Sequence, residues 1–192
     1  DNKVLGKYFY ENRTHIGFSE LSPNLINALI ATEDERFYNH SGIDFIALLR
    51  VLKGVITGNR NLGGGSTLTQ QLAKMFFSEK PKSKLDRVKQ KFKEWIIALR
   101  IERQYSKNEI ISMYLNRFDF LNLAVGIESA AKIYFNTTPD SLKIEESATL
   151  VGMAKNPSLY NPLRRIEKTK ERRNIVFAQM ERNNFISTDQ KD

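Results

Sequence analysis

One amphipathic stretch, Lys84 to Arg103, constrains the fold of this sequence more than any other feature. Its apolar side chains recur at spacings of three and four residues, which places them on one stripe of an α-helix about 30 Å long. An apolar stripe of this kind is normally buried against other helices. We therefore expect this helix to pack through its stripe into a helical domain. The stripe comprises Leu85, Val88, Phe92, Trp95, Ile96 and Leu99.

Seven further segments show helical spacing or helix start and stop signals, so the chain is predicted to be mostly α. The first begins at Ser22-Pro23, since serine is a favoured N-cap and proline a favoured first helical residue. Residues 1–22 fit a short strand, a hairpin or an extended arm. No repeat or linker divides the chain, and we expect a single domain over 1–192 with an N-terminal arm over about 1–22. The seven segments are 23–33, 45–57, 67–77, 107–116, 124–135, 144–154 and 166–183.

The charge balance indicates an anionic partner. The 192 residues carry 30 Lys and Arg against 22 Asp and Glu, a net charge of +8, and residues 80–107 hold ten of those cations against three anions. Nucleic acid, an acidic membrane surface and a phosphorylated substrate would each match this charge. The absence of cysteine excludes a thiol nucleophile, and the two histidines are a poor ligand set for zinc. No apolar run approaches the 18 or so residues of a membrane-spanning helix.

Three consecutive acids, Glu33, Asp34 and Glu35, end the first predicted helix. The helix dipole disfavours carboxylates at a C-terminus, which makes such a group a candidate acid or base. Acidic turns are also common on protein surfaces, and from residue type alone a solvated turn explains these charges at least as well. His40 lies nearby in sequence, and both it and His15 are more typical of hydrogen-bonded structural residues than of catalysts.

A glycine-rich loop, Gly58 to Ser66, precedes a helix whose polar side could bind a ligand. Three glycines let the backbone approach a ligand closely, and helix N-termini bind anions. Thr67, Gln70, Gln71 and Lys74 gather on one side of that helix, a row of donors that suits sugars and phosphates. A flexible loop followed by a capped surface helix explains the same pattern equally well.

Glu94 lies on the side of the long helix opposite its apolar stripe. The same side is polar before Glu94 and apolar after it, which places this carboxylate at the boundary between a cleft and the core. The lysines around it fit a solvated helix face or phosphate attraction to nucleic acid. Phe92 and Trp95 belong to the apolar stripe and are more typical of core residues than of a platform for stacked bases.

Taken in order, five segments resemble the motifs of the peptidoglycan glycosyltransferases, the transglycosylase domain of class A penicillin-binding proteins and of monofunctional cell-wall transglycosylases. The sequence departs from the family's usual motifs at Gln90 and Ser112, where Arg and Glu are usual. It also departs at Phe120 to Gly126, where the family more often has FGxGAYG. The segments are Glu33 to Gly42 (ED-x-x-F-x-x-H-x-G), Gly64 to Lys74 (G-x-STLTQQL-x-K), Gln90 to Glu94 (RK-x-x-E), Lys107 to Asn116 (K-x-x-I-x-x-x-YLN) and Arg172 to Val176 (RR-x-x-V).

This resemblance implies a lysozyme-like, two-lobed helical domain with a globular head and a small membrane-facing jaw, here about residues 43–80. It implies an inverting polymerisation of lipid II into the glycan strands of bacterial peptidoglycan. Glu33 would be the general base, and Glu94 would assist on the pyrophosphate side of the donor and is a candidate ligand of a divalent ion, Mg or Mn. No organic cofactor is implied. The substrate-binding residues carried over are Asp34, Phe37, His40, Gly65, Ser66, Thr67, Gln70, Gln71, Lys74, Lys91, Asn116, Arg172 and Arg173.

The partners implied are lipid II, the growing glycan chain and the membrane surface, with moenomycin-type inhibitors and cell-wall synthesis proteins as further candidates and no nucleic acid. The location implied is the outer face of the bacterial cytoplasmic membrane, with the family's anchoring helix outside this chain. The apolar residues of the predicted jaw fit either a membrane-dipping surface or core.

Three other functions use the same features differently. A catalytically weakened cell-wall scaffold of the same fold would explain Gln90 and Ser112. A basic helical nucleic-acid-binding domain would explain the charge, and would bind with a steep salt dependence that is indifferent to Glu33→Gln. A lysozyme-like hydrolase would use two carboxylates, but it needs no pyrophosphate pocket or apolar jaw.

Overall fold

The computed structural model describes residues 15–58, 64–77 and 81–187, and the first fourteen residues of the predicted N-terminal arm lie outside them. The mostly α prediction is confirmed, and the described residues contain no β-strand, only a single bridge between Asp119 and Val125. Short 3₁₀ turns occur at Phe18–Glu20, Phe37–Asn39 and Pro139–Ser141. The helices are α1 (Pro23–Glu33), α2 (Phe45–Thr57), α3 (Leu68–Phe77), α4 (Lys84–Gln104), α5 (Lys107–Arg117), α6 (Ile127–Phe135), α7 (Ile144–Ala154) and α8 (Ile166–Arg182).

Side-chain caps fix where several of these helices begin. The Ser22 hydroxyl accepts the Asn24 N–H at 3.2 Å, and Pro23 follows as the first residue of α1. Ser83 caps α4 in the same way, and Ser106 caps α5 in a reciprocal capping box with Glu109. Because caps satisfy backbone N–H groups that have no partner within the helix, these starts can be recognised in the sequence.

The core runs through two groups of packed helices. Helix α1 packs against α7 and α8, which also pack against each other, and α3 packs against α4 and α5. Leu25 and Leu29 of α1, Leu68 and Leu72 of α3 and Tyr114 of α5 are fully buried within one continuous apolar cluster. The C-terminal end of α1 and the buried face of α3 therefore meet where the two groups join.

The face through which α4 packs differs from the predicted one. Glu94, Ala98 and Ile101 are its buried residues, whereas the apolar stripe expected in the core is largely in contact with solvent. Phe92, for example, is 57% exposed. The prediction that this stripe forms the core is wrong, because α3 covers the opposite side of the helix. The exposed members of the stripe are Leu85, Val88, Phe92, Ile96 and Leu99.

Apolar side chains are also exposed on α2 and at the end of α3. Ala47 is buried on α2, but Phe45, Ile46, Leu49, Leu52 and Ile56 are exposed, as are Phe76 and Phe77 of α3. The alternative that all these residues are core is therefore wrong. The division of the chain into a head and a jaw over about 43–80 stays a prediction. None of the described helices is both long enough and apolar enough to span a bilayer.

The loop between α5 and α6 has an uncommon backbone. Leu121, Asn122 and Leu123 have consecutive positive φ angles of 65°, 51° and 65°. Left-handed backbone is unfavourable for side chains other than glycine and, to a smaller degree, asparagine. The predicted sixth helix begins later than residue 124, at Ile127, because Val125 pairs with Asp119 in the bridge and Gly126 has a φ of 84°.

Candidate active site

The three acids at the end of α1 point to three different partners. The Glu33 carboxylate accepts a hydrogen bond from Gln71 Nε2 at 2.9 Å. Asp34 is buried and faces His40, with Oδ1 3.0 Å from Nε2. Glu35 is bridged by Arg50 at 2.7 Å and by Arg182 at 3.0 Å. A solvated turn therefore does not describe this segment. Because Asp34 is paired with a histidine and Glu35 with two arginines, Glu33 is the candidate acid or base among the three carboxylates.

Asp34 and His40 form a framework beneath Glu33. Asp34 Oδ2 accepts the backbone N–H of Leu68 at 2.9 Å, which ties the end of α1 to the first residue of α3. His40 Nδ1 accepts the N–H of Gly42 at 3.2 Å, so Nε2 carries the proton that is donated to Asp34. Both side chains are nearly buried, and their hydrogen bonds hold the end of α1 in place. Asp34 also lines a cavity at that end, together with Glu33 and Ser66.

Gly42 joins the first two motifs to α4. Its φ is +94°, and a Cβ placed there would lie 3.1 Å from the backbone carbonyl of Ala98, which explains why only glycine fits. Its carbonyl oxygen accepts hydrogen bonds from the Thr67 hydroxyl at 2.8 Å and from Gln70 Nε2 at 3.0 Å. Thr67 and Gln70 are therefore fastened to the fold through these groups.

Glu33 ends α1 at the junction of two cavities. The larger, about 480 Å³, extends towards α4 and α8, and the smaller, about 270 Å³, extends towards α2. Glu33 and Ser66 line both of them. A carboxylate at this junction can reach a group bound in either cavity.

Five cations line the larger cavity together with Glu33 and Glu94. Lys91 Nζ donates to the Ser66 hydroxyl at 2.8 Å and to Glu94 at 3.2 Å, and the Glu94 side chain is nearly buried. Arg172 is buried, with Nη2 3.9 Å from Glu33 Oε1. The remaining three, Lys74, Arg87 and Lys155, form no salt bridge with any described residue. A compact polyanion such as a pyrophosphate fits this arrangement.

A model of the transglycosylase family matches residues 1–181. The chain belongs to this family. It is 38% identical over 191 residues to penicillin-binding protein 2a of Streptococcus pneumoniae serotype 2 (strain D39), covering 100% of this chain and 25% of the relative. It is 34% identical over 192 residues to penicillin-binding protein 1A of Escherichia coli (strain K12), covering 100% and 22%. Against penicillin-binding protein 1A/1B of Bacillus subtilis (strain 168), identity is 39% over 191 residues, covering 99% and 20%.

The transglycosylase domain spans between a fifth and a quarter of the length of these relatives. The family predicted from the five motifs is confirmed, and the mostly helical architecture is consistent with its lysozyme-like fold. Membership supports a glycosyltransferase of peptidoglycan synthesis.

Not every residue carried over from the motifs lies in the two cavities of this transglycosylase domain. Phe37 is fully buried, with the Lys107 ammonium 4.3 Å from its ring centroid. Asn116 holds the N-terminal segment, because its amide binds both the N–H and the C=O of Ile16, at 2.9 and 2.7 Å. The Arg173 guanidinium lies 5.6 Å from the centroid of the Phe177 ring. None of Phe37, Asn116 and Arg173 lines either cavity, and their role in substrate binding stays a prediction.

The loop and α3 supply the remaining predicted residues. Gly65 and Ser66 line the smaller cavity, and a Cβ on Gly65 would lie 3.2 Å from Val51, so this backbone packs closely on α2. Gln70, Gln71 and Lys74 line the larger cavity. Of the residues carried over, the structure thus brings together around one space Glu33, Ser66, Gln70, Gln71, Lys74, Lys91, Glu94 and Arg172.

Four further residues around Glu33 are not indicated by the motifs: Arg87, Tyr114, Lys155 and Gln179. Arg87 and Lys155 line the larger cavity, and Gln179 lines both. Helical spacing could have found Arg87 and Gln179, which lie seven residues from Glu94 and Arg172 respectively. Tyr114 donates to Gln71 Oε1 at 3.2 Å, and burial, followed by the charge of Glu33, raises its pKa well above the usual range.

The residues around Glu94 fit a divalent ion in part. Glu94 offers one carboxylate, which is already paired with Lys91. No three Asp, Glu or His side chains are grouped for a metal anywhere in residues 15–58, 64–77 and 81–187. Magnesium is often held by one or two carboxylates together with substrate phosphate oxygens. An ion at Glu94 would therefore depend on oxygens from the substrate.

Proposed function

We propose that this domain polymerises lipid II into glycan strands by inverting glycosyl transfer. The observation that carries the proposal is the position of Glu33 at the junction of two cavities, one of which is lined by five cations and Glu94. This arrangement suits a donor pyrophosphate in the larger cavity and an acceptor sugar reaching Glu33 from the smaller one. The transglycosylase family and the names of its penicillin-binding relatives support the same substrate class.

In this mechanism Glu33 removes the proton from the 4-hydroxyl of the acceptor sugar. The hydroxyl oxygen attacks the anomeric carbon of the donor from the face opposite the pyrophosphate. The bond between that carbon and the pyrophosphate oxygen breaks, and its electron pair leaves with the lipid pyrophosphate. One displacement inverts the anomeric centre, so a single base at the junction is sufficient.

Cations in the larger cavity stabilise the negative charge that develops on the leaving group. Lys74, Arg87, Lys155 and Arg172 bind pyrophosphate oxygens, and Lys91 is held in position by Ser66 and Glu94. Such preorganised charges are worth most where water is displaced. A divalent ion, Mg or Mn, would be held by Glu94 and pyrophosphate oxygens and would supply further charge neutralisation.

The exposed apolar faces of α2 and α3 support a location of this chemistry beside a membrane surface. The lipid tail of the substrate lies in the bilayer, and exposed aromatic and aliphatic side chains can enter the interface. We infer that the domain works on the outer face of the bacterial cytoplasmic membrane. Moenomycin-type inhibitors and cell-wall synthesis proteins remain candidate partners.

The alternatives are less well supported. Nucleic-acid binding would favour cations on an open face, whereas five cations line a cavity that also contains two carboxylates. A catalytically weakened scaffold would not require Glu33, Lys91 and Glu94 to line the same cavity. Ser112, which stands where Glu is usual, is buried and donates to the Asn108 carbonyl oxygen at 3.1 Å, so it is integrated into α5.

The test is polymer formation from fluorescent lipid II in mild detergent with Mg, resolved by gel electrophoresis. We expect the parent domain to form polymer and release lipid pyrophosphate, and Glu33→Gln to form none. Glu167→Gln, which makes the same charge change at an exposed position on α8, should match the parent. A folded parent that yields no polymer, or only hydrolysed disaccharide, would contradict the proposal. Salt-sensitive RNA binding that is unchanged in Glu33→Gln would favour the nucleic-acid alternative.

A further inference from the structure

The two oxygens of Glu33 have different surroundings. Oε2 accepts a hydrogen bond from Gln71 Nε2 at 2.9 Å. Oε1 lies 3.9 Å from Arg172 Nη2, which is too long for a hydrogen bond. Since the Glu33 side chain is 14% exposed and lines both cavities, Oε1 is the oxygen that an incoming hydroxyl can approach.

The amide of Gln71 is itself held from its other side. The buried Tyr114 hydroxyl donates to Gln71 Oε1 at 3.2 Å. An amide rotated by half a turn would place its oxygen against Glu33 Oε2, so two acceptors would face each other. Because burial and the charge of Glu33 raise the pKa of Tyr114, its hydroxyl stays protonated and remains a donor at neutral pH.

We propose that Tyr114 and Gln71 are a positioning pair that fixes the Glu33 carboxylate so that Oε1 accepts the proton of the acceptor hydroxyl. This inference rests on the proposed function. It changes the role carried over for Gln71 from substrate contact to alignment of the base. As the acceptor oxygen forms its bond to the anomeric carbon, its proton moves to Oε1 while the hydrogen bond from Gln71 stabilises Oε2.

Steady-state kinetics on lipid II with Tyr114→Phe test the pair. This variant keeps the buried ring and removes the hydroxyl. We expect kcat to fall about fivefold to tenfold with KM unchanged, since one orienting hydrogen bond is lost. Tyr134→Phe is the matched control, because the Tyr134 hydroxyl donates at 2.6 Å to the Phe120 carbonyl oxygen, away from the cavities, and its kcat should match the parent.

A double-mutant cycle with Gln71→Leu separates positioning from a general structural effect. If Tyr114 acts through Gln71, Tyr114→Phe should lower kcat no further in the Gln71→Leu background. The inference would be overturned by additive effects on kcat in the double mutant. An unchanged kcat in Tyr114→Phe would also overturn it, and so would a raised KM with unchanged kcat in Gln71→Leu. Gln71 is only half-buried, so Gln71→Leu stays informative if Tyr114→Phe folds poorly.

Different results would reject the proposed function and this inference. An inactive folded parent, or a fully active Glu33→Gln, would remove the base itself. Loss of activity in Glu33→Gln together with a parent-like Tyr114→Phe would leave the proposed function intact and reject only the positioning pair.

Discussion

Leu121 and Leu123 both have a φ of 65°, at two positions where the family pattern FGxGAYG has glycine. Left-handed backbone costs a residue with a Cβ about 1–2 kcal/mol. Leu123 is 88% exposed, so removing its side chain loses little packing. Leu123→Gly should therefore raise the free energy of unfolding by about 1 kcal/mol in urea denaturation.

Leu163→Gly provides the control for this prediction. Leu163 is also exposed but does not have a positive φ, so glycine there only adds freedom to the unfolded chain. We expect a loss of about 0.5–1 kcal/mol. Equal losses in the two variants would show that Leu123 is not strained.

At the scale of single residues, the side-chain types of the candidate site were easier to predict than the place of each residue in the fold. The residue types and order of the motifs were enough to select Glu33, Lys91, Glu94 and Arg172, which share one cavity. The resemblance predicts a substrate contact for Asn116 but gives no sign that both ends of its amide bind the backbone of Ile16, a hundred residues earlier. A contact between such distant residues leaves no local signal in the sequence.

Helix α4 presents two apolar faces, and spacing alone did not determine which one is buried. Ala98 is fully buried and its backbone carbonyl faces Gly42, whereas Phe92 is exposed. The boundaries of the helices could be predicted to within about three residues, because caps and periodicity are local. The partner of an apolar face is not local, since a stripe that meets lipid has the same spacing as one that meets protein.

Substitutions on the two faces of α4 should separate these roles. Phe92→Gln should change the free energy of unfolding by no more than about 0.5 kcal/mol, because the ring is solvent-exposed. Ala98→Leu should cost about 1–3 kcal/mol, because Ala98 is fully buried and a larger side chain would overpack its surroundings. Urea denaturation of both variants checks the assignment, and a larger loss for Phe92→Gln than for Ala98→Leu would contradict it.

Arg87 lies one helical turn before Gln90 and Lys91 and lines the larger cavity, so it can supply the guanidinium that Gln90 lacks. Arg87→Gln should raise KM for lipid II about tenfold, and Gln90→Arg in that background should restore part of the loss. Arg100→Gln, on the same helix but outside both cavities, should leave KM unchanged. An Arg87→Gln variant with the KM of the parent would show that Arg87 does not bind the pyrophosphate.

On the scale of the whole molecule, a cation-lined cavity and exposed apolar surface occur together. Five cations line the cavity between α3, α4 and α8, and apolar side chains are exposed on α2, at the end of α3 and on α4. This combination fits a substrate that is anionic at one end and a lipid at the other. The net charge of +8 predicted an anionic partner, and five of the cations lie in a cavity with two carboxylates, whereas others, such as Lys89 and Lys93 of α4, are exposed.

The most direct test of the account is the measurement of kcat and KM for lipid II in the parent and in Glu33→Gln. Glutamine keeps the size of the side chain and its contact with Gln71, but it cannot accept the proton. We predict that kcat falls by roughly 10²–10⁴-fold with little change in KM. A Glu33→Gln variant that polymerises lipid II at the rate of the parent would contradict the assignment of Glu33 as the base.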